Sequence, residues 1–534
     1  MKNKQDADVI ISGGGPVGMG LAIELGQRGI TVMVIEKHPS PQRVPKGQNL
    51  TQRTMEHFRA WGAESELRAA RTVPANFGIG GLTSYATLLG DYHYDWMKRE
   101  LVHSYYSADN ERLPQYATED VLRARATSLD SVTLLTGKEV HDVREEDEGV
   151  TVTVRDRASD TDSVFRAAYA VGADGSRSVV REAAGLTQTV FDHDRLMVLL
   201  VFQSNTLHRA LLDKYPGKSF FNVLHPDLQG YWMFFGRVDL EGEFFFHAPV
   251  PAGADPETFD FQTYVERAVG QPIDMEIRHR GYWDCRVAIA DSYGSGRTFI
   301  AGDAAHNHPP YGGYGINTGF EDARNLGWKL TARLKGWGGP ELLASYDAER
   351  RPVFWSTAKD FIEKSIETDR DFLATYDPAT DLAEFEAAWS ARARGAINEV
   401  GAFQPNYRGS RVVAGSRDGT ASAKGAHSFT ARPGYHLAPR ALPEGGTTHD
   451  RLGTEFSLIA LGQPNDAARF ADDAARLHIP LTVIESAAPG TEDETANYGA
   501  SLILVRPDQF VAWAGDKIPD DLGTTGILKL AVGA

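Results

Sequence analysis

Near its N-terminus the chain alternates short apolar runs with glycine-rich turns. The run DVII at 8–11 leads into GGGPVG and then into MGLAIELGQRG, where apolar residues recur with helical spacing. A second apolar run follows at 31–35. Strand, turn, helix and strand predict a βαβ unit, in which a right-handed crossover places the two strands in a parallel sheet.

The pattern changes between about residue 190 and residue 282. The runs VLLVFQS, YWMFFGRV and EFFFHAPV are short, aromatic and β-prone, which predicts an inserted antiparallel sheet. An α/β pattern then returns, and helical spacing dominates from 319 to about 400. Beyond a Gly-, Pro- and Ser-rich stretch at 405–450, the order strand, helix, strand and hairpin is compatible with a thioredoxin-like fold.

The composition mainly excludes certain classes of binding partner and certain kinds of site. The 534 residues are 42% apolar and 24% charged, enough for several packed cores. The net charge of −17 disfavours nucleic acid and anionic membranes as partners. A single cysteine, Cys285, excludes a disulfide framework and Cys-based metal sites. With no long apolar segment and no secretory pattern, we expect a cytoplasmic protein.

The turn GGGPVG has GxGxxG spacing between a strand and a helix. In such turns Gly13 permits the tight bend, Gly15 lets a pyrophosphate approach the backbone, and Gly18 allows close helix–strand packing. Phosphate would bind at the helix N-terminus, where N–H groups are unpaired. Glu36 ends the second strand, where a carboxylate can accept ribose hydroxyls. This pattern predicts a dinucleotide site and favours NAD or FAD over NADP.

Two later segments are ambiguous when taken alone. DGSRS, starting at Asp174, is typical of a capped helix N-terminus. The segment 302–323, GDAAHNHPPYGGYGINTGFEDA, contains an HxH pair, but its neighbours are poor ligands and we predict no metal. Its glycines at 312, 313 and 315 instead indicate bare backbone against a closely approaching ligand. Asp303 could hydrogen-bond a polyol.

Together, GGGPVG with Glu36, DGSRS with Arg181 and the segment 302–323 resemble the FAD-dependent aromatic hydroxylases. These are the single-component flavoprotein monooxygenases related to p-hydroxybenzoate hydroxylase and phenol hydroxylase. The resemblance covers residues 6 to about 400. The last part of the chain, including RPDQFVAW at 506–513, resembles the thioredoxin-like C-terminal domain of the phenol hydroxylase branch.

The resemblance implies which residues hold FAD. The glycine turn would hold the pyrophosphate, Glu36 the ribose, Asp303 the ribityl chain, and the backbone at 315–317 the pyrimidine edge of the flavin. The full implied set is Gly13, Gly15, Gly18, Glu36, Lys46, Gln115, Asp174, Gly302, Asp303, Gly315, Ile316 and Asn317.

The resemblance also implies the reaction. NAD(P)H would reduce FAD, O₂ would add at the flavin C4a carbon, and the resulting hydroperoxide would hydroxylate a phenolic or related electron-rich ring. Pro310 falls where a backbone carbonyl faces the substrate. Gln48 stands where relatives can carry an aspartate, and an amide cannot take a proton from a phenol. This indicates either a tyrosine and water relay, for which Tyr231 and Tyr282 are our candidates, or a substrate that is already acidic.

Several alternatives stay open on the sequence. Either NADPH or NADH could be the transient co-substrate, and a homodimer is usual for such enzymes. Baeyer–Villiger-type oxygenation of an aromatic polyketide uses the same fold. A non-catalytic flavin-binding sensor is a hypothesis of another class.

The expected architecture is thus α/β with three parts. A Rossmann-like FAD-binding domain occupies 1–75, 110–188 and 283–400, and a mainly antiparallel substrate domain occupies 76–109 and 189–282. A linker at 401–450 leads to a thioredoxin-like domain at 451–534.

Overall fold

The computed structural model describes residues 5–77, 80–415, 418–487 and 498–534, which form a mixed α/β structure. The strands are β1 (Ala7–Ser12), β2 (Val32–Glu36), β3 (Asn49–Leu50), β4 (Gly81–Tyr85), β5 (His93–Trp96), β6 (Glu111–Arg112), β7 (Val132–Thr136), β8 (Lys138–Glu146), β9 (Gly149–Asp156), β10 (Thr161–Gly172), β11 (Gln188–Gln203), β12 (Phe220–Leu224), β13 (Met233–Arg237), β14 (Glu243–Pro249), β15 (Glu276–Ala290), β16 (Gly294–Ser295), β17 (Thr298–Ile300), β18 (His306–Asn307), β19 (Phe403–Asn406), β20 (Ser422–Lys424), β21 (Phe456–Leu461), β22 (Leu481–Ser486), β23 (Leu502–Val505) and β24 (Val511–Gly515). The helices are α1 (Pro16–Gly26), α2 (Gln52–Ala60), α3 (Glu64–Ala69), α4 (Gln115–Thr127), α5 (Val179–Ala183), α6 (Asn205–Lys214), α7 (Phe261–Val269), α8 (Tyr314–Leu334), α9 (Ala344–Ser356), α10 (Lys364–Thr375), α11 (Leu382–Ala402), α12 (Thr448–Arg451), α13 (Pro464–Arg476) and α14 (Gly523–Ala531).

The first sheet is built on the N-terminal βαβ unit. Its strands β17, β10, β1, β2 and β7 lie side by side and pair in parallel, and β8 and β9 extend β10 as an antiparallel ribbon. Apolar runs such as that of β1 are buried because helices cover both faces of a parallel sheet. Helix α1 packs against α8, which brings the glycine turn close to the segment 302–323.

The second sheet, which we call the substrate sheet, has the order β18-β15-β11-β14-β13-β12-β4-β5. Its pairs are antiparallel except for β12 with β4. One face packs against α6 and α7, and the other faces the first domain. Because β18 pairs with β15, the loop that follows Asp303 is attached directly to this sheet.

The C-terminal part contains a four-stranded sheet of order β22-β21-β23-β24 with α13 and α14 packed on it. β21 and β22 are parallel and β23 and β24 form an antiparallel hairpin, which is the thioredoxin-like arrangement. Within the part of the chain that the structure describes, no helix is long and apolar enough to cross a membrane.

The stretch 401–450 was expected to be a linker, and the structure corrects this. It contains β19, β20 and α12, and it buries Tyr407, Val412 and Leu437 in the cores of its neighbours. Its Gly- and Pro-rich composition indicates irregular backbone, but such backbone can be buried once its hydrogen bonds are satisfied. The Tyr407 amide, for example, donates to the Gly434 carbonyl at 2.7 Å.

Candidate active site

The three glycines of the GGGPVG turn lack a side chain for different physical reasons. A Cβ on Gly13 would lie 2.2 Å from the Ala173 carbonyl oxygen, and one on Gly18 would lie 2.0 Å from the Gly13 oxygen. These two glycines are required by the protein's own packing. A Cβ on Gly15 would meet no atom within 4 Å among the described residues, so this backbone faces open space. A ligand is the remaining reason for a bare backbone at Gly15.

Glu36 is fixed beside this turn. Its Oε2 accepts a hydrogen bond from the Gly14 amide at 2.7 Å, and its Oε1 accepts one from the His38 amide at 2.7 Å. Each carboxylate oxygen keeps a second lone pair for a hydroxyl donor. Helix α1 starts at the same place with Gly15 as its N-cap and no side-chain cap from the described residues, so its first N–H groups are available to an anion.

Two connected spaces lie along this edge. The outer groove, about 280 Å³, is lined by Glu36, His38 and Asp174. The inner cavity, about 430 Å³, runs between the substrate sheet and α8. Both are lined by Gly15, Pro16, Lys46, Gln115 and Ala173. They therefore form one channel from the ribose-binding carboxylate to α8, a shape that fits an extended dinucleotide.

Asp303 lines the inner cavity just after β17, where the parallel strands end. Its carboxyl group is accessible from the cavity but enclosed by protein. This burial raises its pKa, and the positive charges of His306 and Lys46 offset part of the effect. Gln115 starts α4 beside it and donates to Glu119 at 2.9 Å. Both residues line the inner cavity, and the ribityl contacts that the resemblance implies for them stay predictions.

The N-terminus of α8 forms the far wall of the cavity. Gly313 caps the helix with φ of +68°, a left-handed conformation that favours glycine. Gly315 and Ile316, in the first turn, line the cavity. The helix dipole and the unpaired N–H groups there favour negative charge on a ligand ring.

Three of the implied FAD ligands also make contacts within the protein. The Asn317 side chain lies outside the inner cavity and donates to the Asn49 carbonyl at 2.9 Å, which aligns the starts of α8 and α2. The Gly302 amide donates to Asp322 at 3.0 Å. Asp174 accepts from the Val179 amide at 3.1 Å and so holds α5. The Asn317 side chain and the Gly302 amide are thus used by the protein itself. Asp174 Oδ1, in contrast, has no partner among the described residues, and Asp174 borders the outer groove. The FAD roles of Asp174 and of the Asn317 backbone stay predictions.

The floor of the inner cavity is aromatic. Phe220, Phe234 and Phe245, from the adjacent strands β12, β13 and β14, line it together with Trp96 of β5. Pro310 lines the opposite side, in the loop before α8. This floor gives the space in front of α8 an apolar wall.

Gln48 is the polar group next to this floor. Its Oε1 accepts a hydrogen bond from the Arg112 guanidinium, which fixes the orientation of the amide. Its Nε2 is buried and has no hydrogen-bond partner within the described ranges. Gln48 thus lines the cavity with an unused N–H donor, but an amide cannot remove a proton.

The structure does not bring the two candidate relay tyrosines to the cavity. The Tyr282 hydroxyl donates to the Pro256 carbonyl at 2.7 Å on the helix-covered face of the sheet. Successive strand residues point to opposite faces, and Trp283 takes the cavity side. The Tyr231 hydroxyl hydrogen-bonds His193 at 2.9 Å, also outside the cavity lining. Neither is retained as a relay.

Sequence reasoning missed two cavity residues, His247 and His308. The signal for His247 was a lone histidine inside the apolar strand EFFFHAPV, two positions after Phe245 and hence on the same face. His308 belongs to the HxH pair and shares a hydrogen bond of 2.6 Å with the Pro309 carbonyl through Nδ1. Its partner His306 instead pairs with Asp322 at 2.6 Å, in a structural role.

A histidine and carboxylate cluster lies away from the cavity. Among the described residues, the one group close enough to hold a metal ion is Glu56, His436 and His449. Both oxygens of Glu56 already accept hydrogen bonds, at 2.7 Å from the Ser107 amide and at 3.0 Å from Arg53. The adjacent guanidinium of Arg53 disfavours a cation. We therefore interpret the cluster as a structural contact between α2 and the C-terminal part.

Comparison with known proteins agrees with this site. Residues 6–360 match the FAD binding domain family, and residues 430–533 match the aromatic-ring hydroxylase C-terminal family. The 4-methyl-5-nitrocatechol 5-monooxygenase of Burkholderia sp is 31% identical, covering 97% of this chain and 95% of that protein. Aklavinone 12-hydroxylase RdmE of Streptomyces purpurascens is 29% identical, covering 99% of each chain. The structure of the rebeccamycin biosynthetic enzyme RebC with reduced flavin matches with a TM-score of 0.84 at 28% identity, over 99% of each chain.

Fold and site thus define a flavoprotein with a Rossmann-like FAD-binding domain. The chain belongs to the FAD-dependent aromatic hydroxylases, a family of monooxygenases. The expected fold class and family are confirmed.

Proposed function

We propose that the protein uses NAD(P)H and O₂ to hydroxylate a phenolic or related electron-rich aromatic ring. The observation that carries this proposal is the inner cavity, where the floor of Phe220, Phe234 and Phe245 faces the N-terminus of α8. Its volume of about 430 Å³ is in the range of small-molecule sites. A flat ring would stack on the floor with its reacting edge towards the flavin.

FAD, when bound, supplies hydride acceptance and oxygen activation. The chain's own residues bind, orient and exclude water. Asp303 would accept hydrogen bonds from hydroxyls of the cofactor chain, and the first turn of α8 would favour negative charge at the flavin ring. Gln48 donates a hydrogen bond to the substrate hydroxyl, and the aromatic floor keeps water from the reacting atoms.

The relatives support a hydroxyl-bearing aromatic as the substrate class. One is named for a nitrocatechol and another for aklavinone. Both names describe oxygenases, which argues against a non-catalytic flavin sensor. We expect NADH or NADPH to dock transiently and the enzyme to be a homodimer, as is usual for this family.

The test is anaerobic stopped-flow reduction of the bound flavin with NADH and NADPH, in the presence of phenol, catechol, 4-nitrocatechol and a polycyclic phenol. We expect one of them to accelerate reduction at least about tenfold and to gain one ¹⁸O atom from ¹⁸O₂ as a ring hydroxyl. A lactone product would instead support the Baeyer–Villiger alternative. Failure to bind FAD, or reduction without any oxygenated product, would overturn the proposal.

A further inference from the structure

His247 is the titratable residue that the substrate sheet contributes to the inner cavity. The described lining residues also include Lys46, Asp303 and His308. Lys46 borders the channel shared with the outer groove, Asp303 follows β17, and His308 lies beside Gly315. These three lie on the cofactor side, whereas His247 lies on β14 among the floor aromatics.

The residues of the substrate sheet that surround His247 are apolar or aromatic. Its neighbours across the strands are Leu199 on β11 and Phe234 on β13. Its ring centroid lies 5.5 Å from that of Phe245 and 6.2 Å from that of Trp283 on β15. Burial lowers the pKa of His247 to about 4, so the imidazole is neutral at pH 7 and has a free lone pair. The same burial weakens it as a base, and the negative charge of a phenolate formed beside it would offset this effect.

The hydrogen bonding of the His247 ring is incomplete among the described residues. Its Nδ1 is buried, and no described residue donates to it or accepts from it. A buried, unpaired nitrogen costs about 1–3 kcal/mol, and the residue that carries it lines the inner cavity. His306, by contrast, is paired with Asp322 at 2.6 Å.

We propose that His247 is the residue that accepts the ring-hydroxyl proton of the aromatic substrate. The O–H bond breaks with its electron pair left on the substrate oxygen, and the proton forms an N–H bond with the imidazole. The resulting phenolate is a stronger nucleophile towards oxygen transfer, and the imidazolium beside it is stabilised by the opposite charge. The proton leaves His247 when the product departs. This inference rests on the proposed function. It assigns to His247 the role of base, which Gln48 cannot fill because an amide does not take up a proton.

The first test is equilibrium binding of 4-nitrophenol to the oxidised holoenzyme, followed by the phenolate absorption band as a function of pH. We expect the bound probe to ionise at lower pH in wild type than in His247→Gln, by at least one pH unit. Tyr282→Phe is the matched control, because it removes a hydroxyl from the other face of the same sheet and should leave the titration unchanged. Flavin content and thermal unfolding show whether each variant is folded.

The second test separates the inference from the proposed function. At pH 7 we expect His247→Gln to lose about 100-fold in hydroxylation of a weakly acidic phenol, the size of a general-base effect. It should lose less than about fivefold with a substrate already ionised in solution. Equal losses on both substrates, or an unchanged titration of the probe, would overturn the role of His247. Absence of hydroxylation by the wild-type holoenzyme would instead count against the proposed function.

Discussion

The polar side chains around the channel form two groups: those whose hydrogen bonds are all made within the protein, and those that keep a hydrogen-bonding atom unpaired. The carboxamide of Asn317 is fully used by neighbouring backbone groups, so its packing is complete without a ligand. Gln48 and His247, by contrast, each keep a buried nitrogen without a partner in the described structure, and Asp303 presents its carboxyl to the cavity. Unsatisfied polar groups are costly in a packed interior. At this scale, these three residues are where a ligand is expected to bind.

Asp303→Ala should weaken FAD binding by about 10- to 100-fold, because hydrogen bonds to a charged group contribute about 1.5–3 kcal/mol. Asp303→Asn, which keeps the shape and one acceptor, should lose less. Isothermal titration of the apoprotein with FAD measures both. Undiminished affinity in Asp303→Ala would show that the ribityl chain lies elsewhere.

At the scale of elements, the βαβ unit and α8 bring two uncapped helix N-termini to one channel. The close packing of α1 on the sheet depends on Gly13 and Gly18, whose Cβ positions are taken by backbone atoms. Gly15 has no such constraint, and its φ of −76° and ψ of −174° suit any residue. The same turn therefore contains glycines for the fold and a glycine for the ligand.

This difference gives a paired prediction. Gly15→Ala should change the free energy of unfolding of the apoprotein by less than about 1 kcal/mol, while its methyl group blocks the approach of a pyrophosphate and removes FAD binding. Gly18→Ala should destabilise the apoprotein by about 3 kcal/mol or more, since the added atom overlaps the Gly13 carbonyl. Urea unfolding of both apoproteins, with flavin content, checks this. If Gly15→Ala retained full flavin content, its assigned role would be wrong.

At the scale of the whole molecule, the run RPDQF of the C-terminal part docks onto the FAD-binding domain through buried charges. Arg506 binds Glu349 of α9 with two hydrogen bonds of 2.7 and 2.9 Å and also pairs with Asp508 at 2.6 Å. Lys329 of α8 completes the group, 2.7 Å from Glu349. Two positive and two negative charges cancel, which allows the cluster to be buried.

Glu349→Gln should destabilise the protein by about 3–5 kcal/mol, because it leaves Arg506 and Lys329 with one buried counter-charge. Glu341→Gln, which breaks the exposed pair with Arg411, is the control and should cost at most about 1 kcal/mol. Urea unfolding at pH 7 compares them. A loss in Glu349→Gln no larger than that of the control would refute the docking role.

The effect of Glu349 should also depend on pH. Burial would raise its pKa, but Arg506 and Lys329 outweigh this and hold the pKa well below its usual range. A depressed pKa stabilises the fold above the unfolded-state value of about 4.3, and this stability is lost as the pH falls further. The difference between wild type and Glu349→Gln should therefore shrink below about pH 4.

The sequence by itself determined the local features of this protein. The βαβ unit, the packing need for Gly13 and Gly18, the aromatic strands and the C-terminal order of elements follow from periodicity and backbone sterics, which act over a few residues. The three motifs were enough to indicate a flavin cradle. These inferences concern residues near one another in the chain, where spacing fixes geometry.

Only the tertiary structure decided which side chains share the cavity. Tyr282 and Trp283 are consecutive residues of β15. The register of β15 against β11 places Tyr282 on the face covered by helices and Trp283 on the cavity side. The same pairing across β11, β14 and β13 places His247 beside Phe234. A strand pattern shows that residues alternate, but which face meets the cofactor depends on contacts between strands distant in sequence. For that reason the flavin-binding motifs could be predicted from the sequence, whereas the residue that we propose as the base, His247, could not.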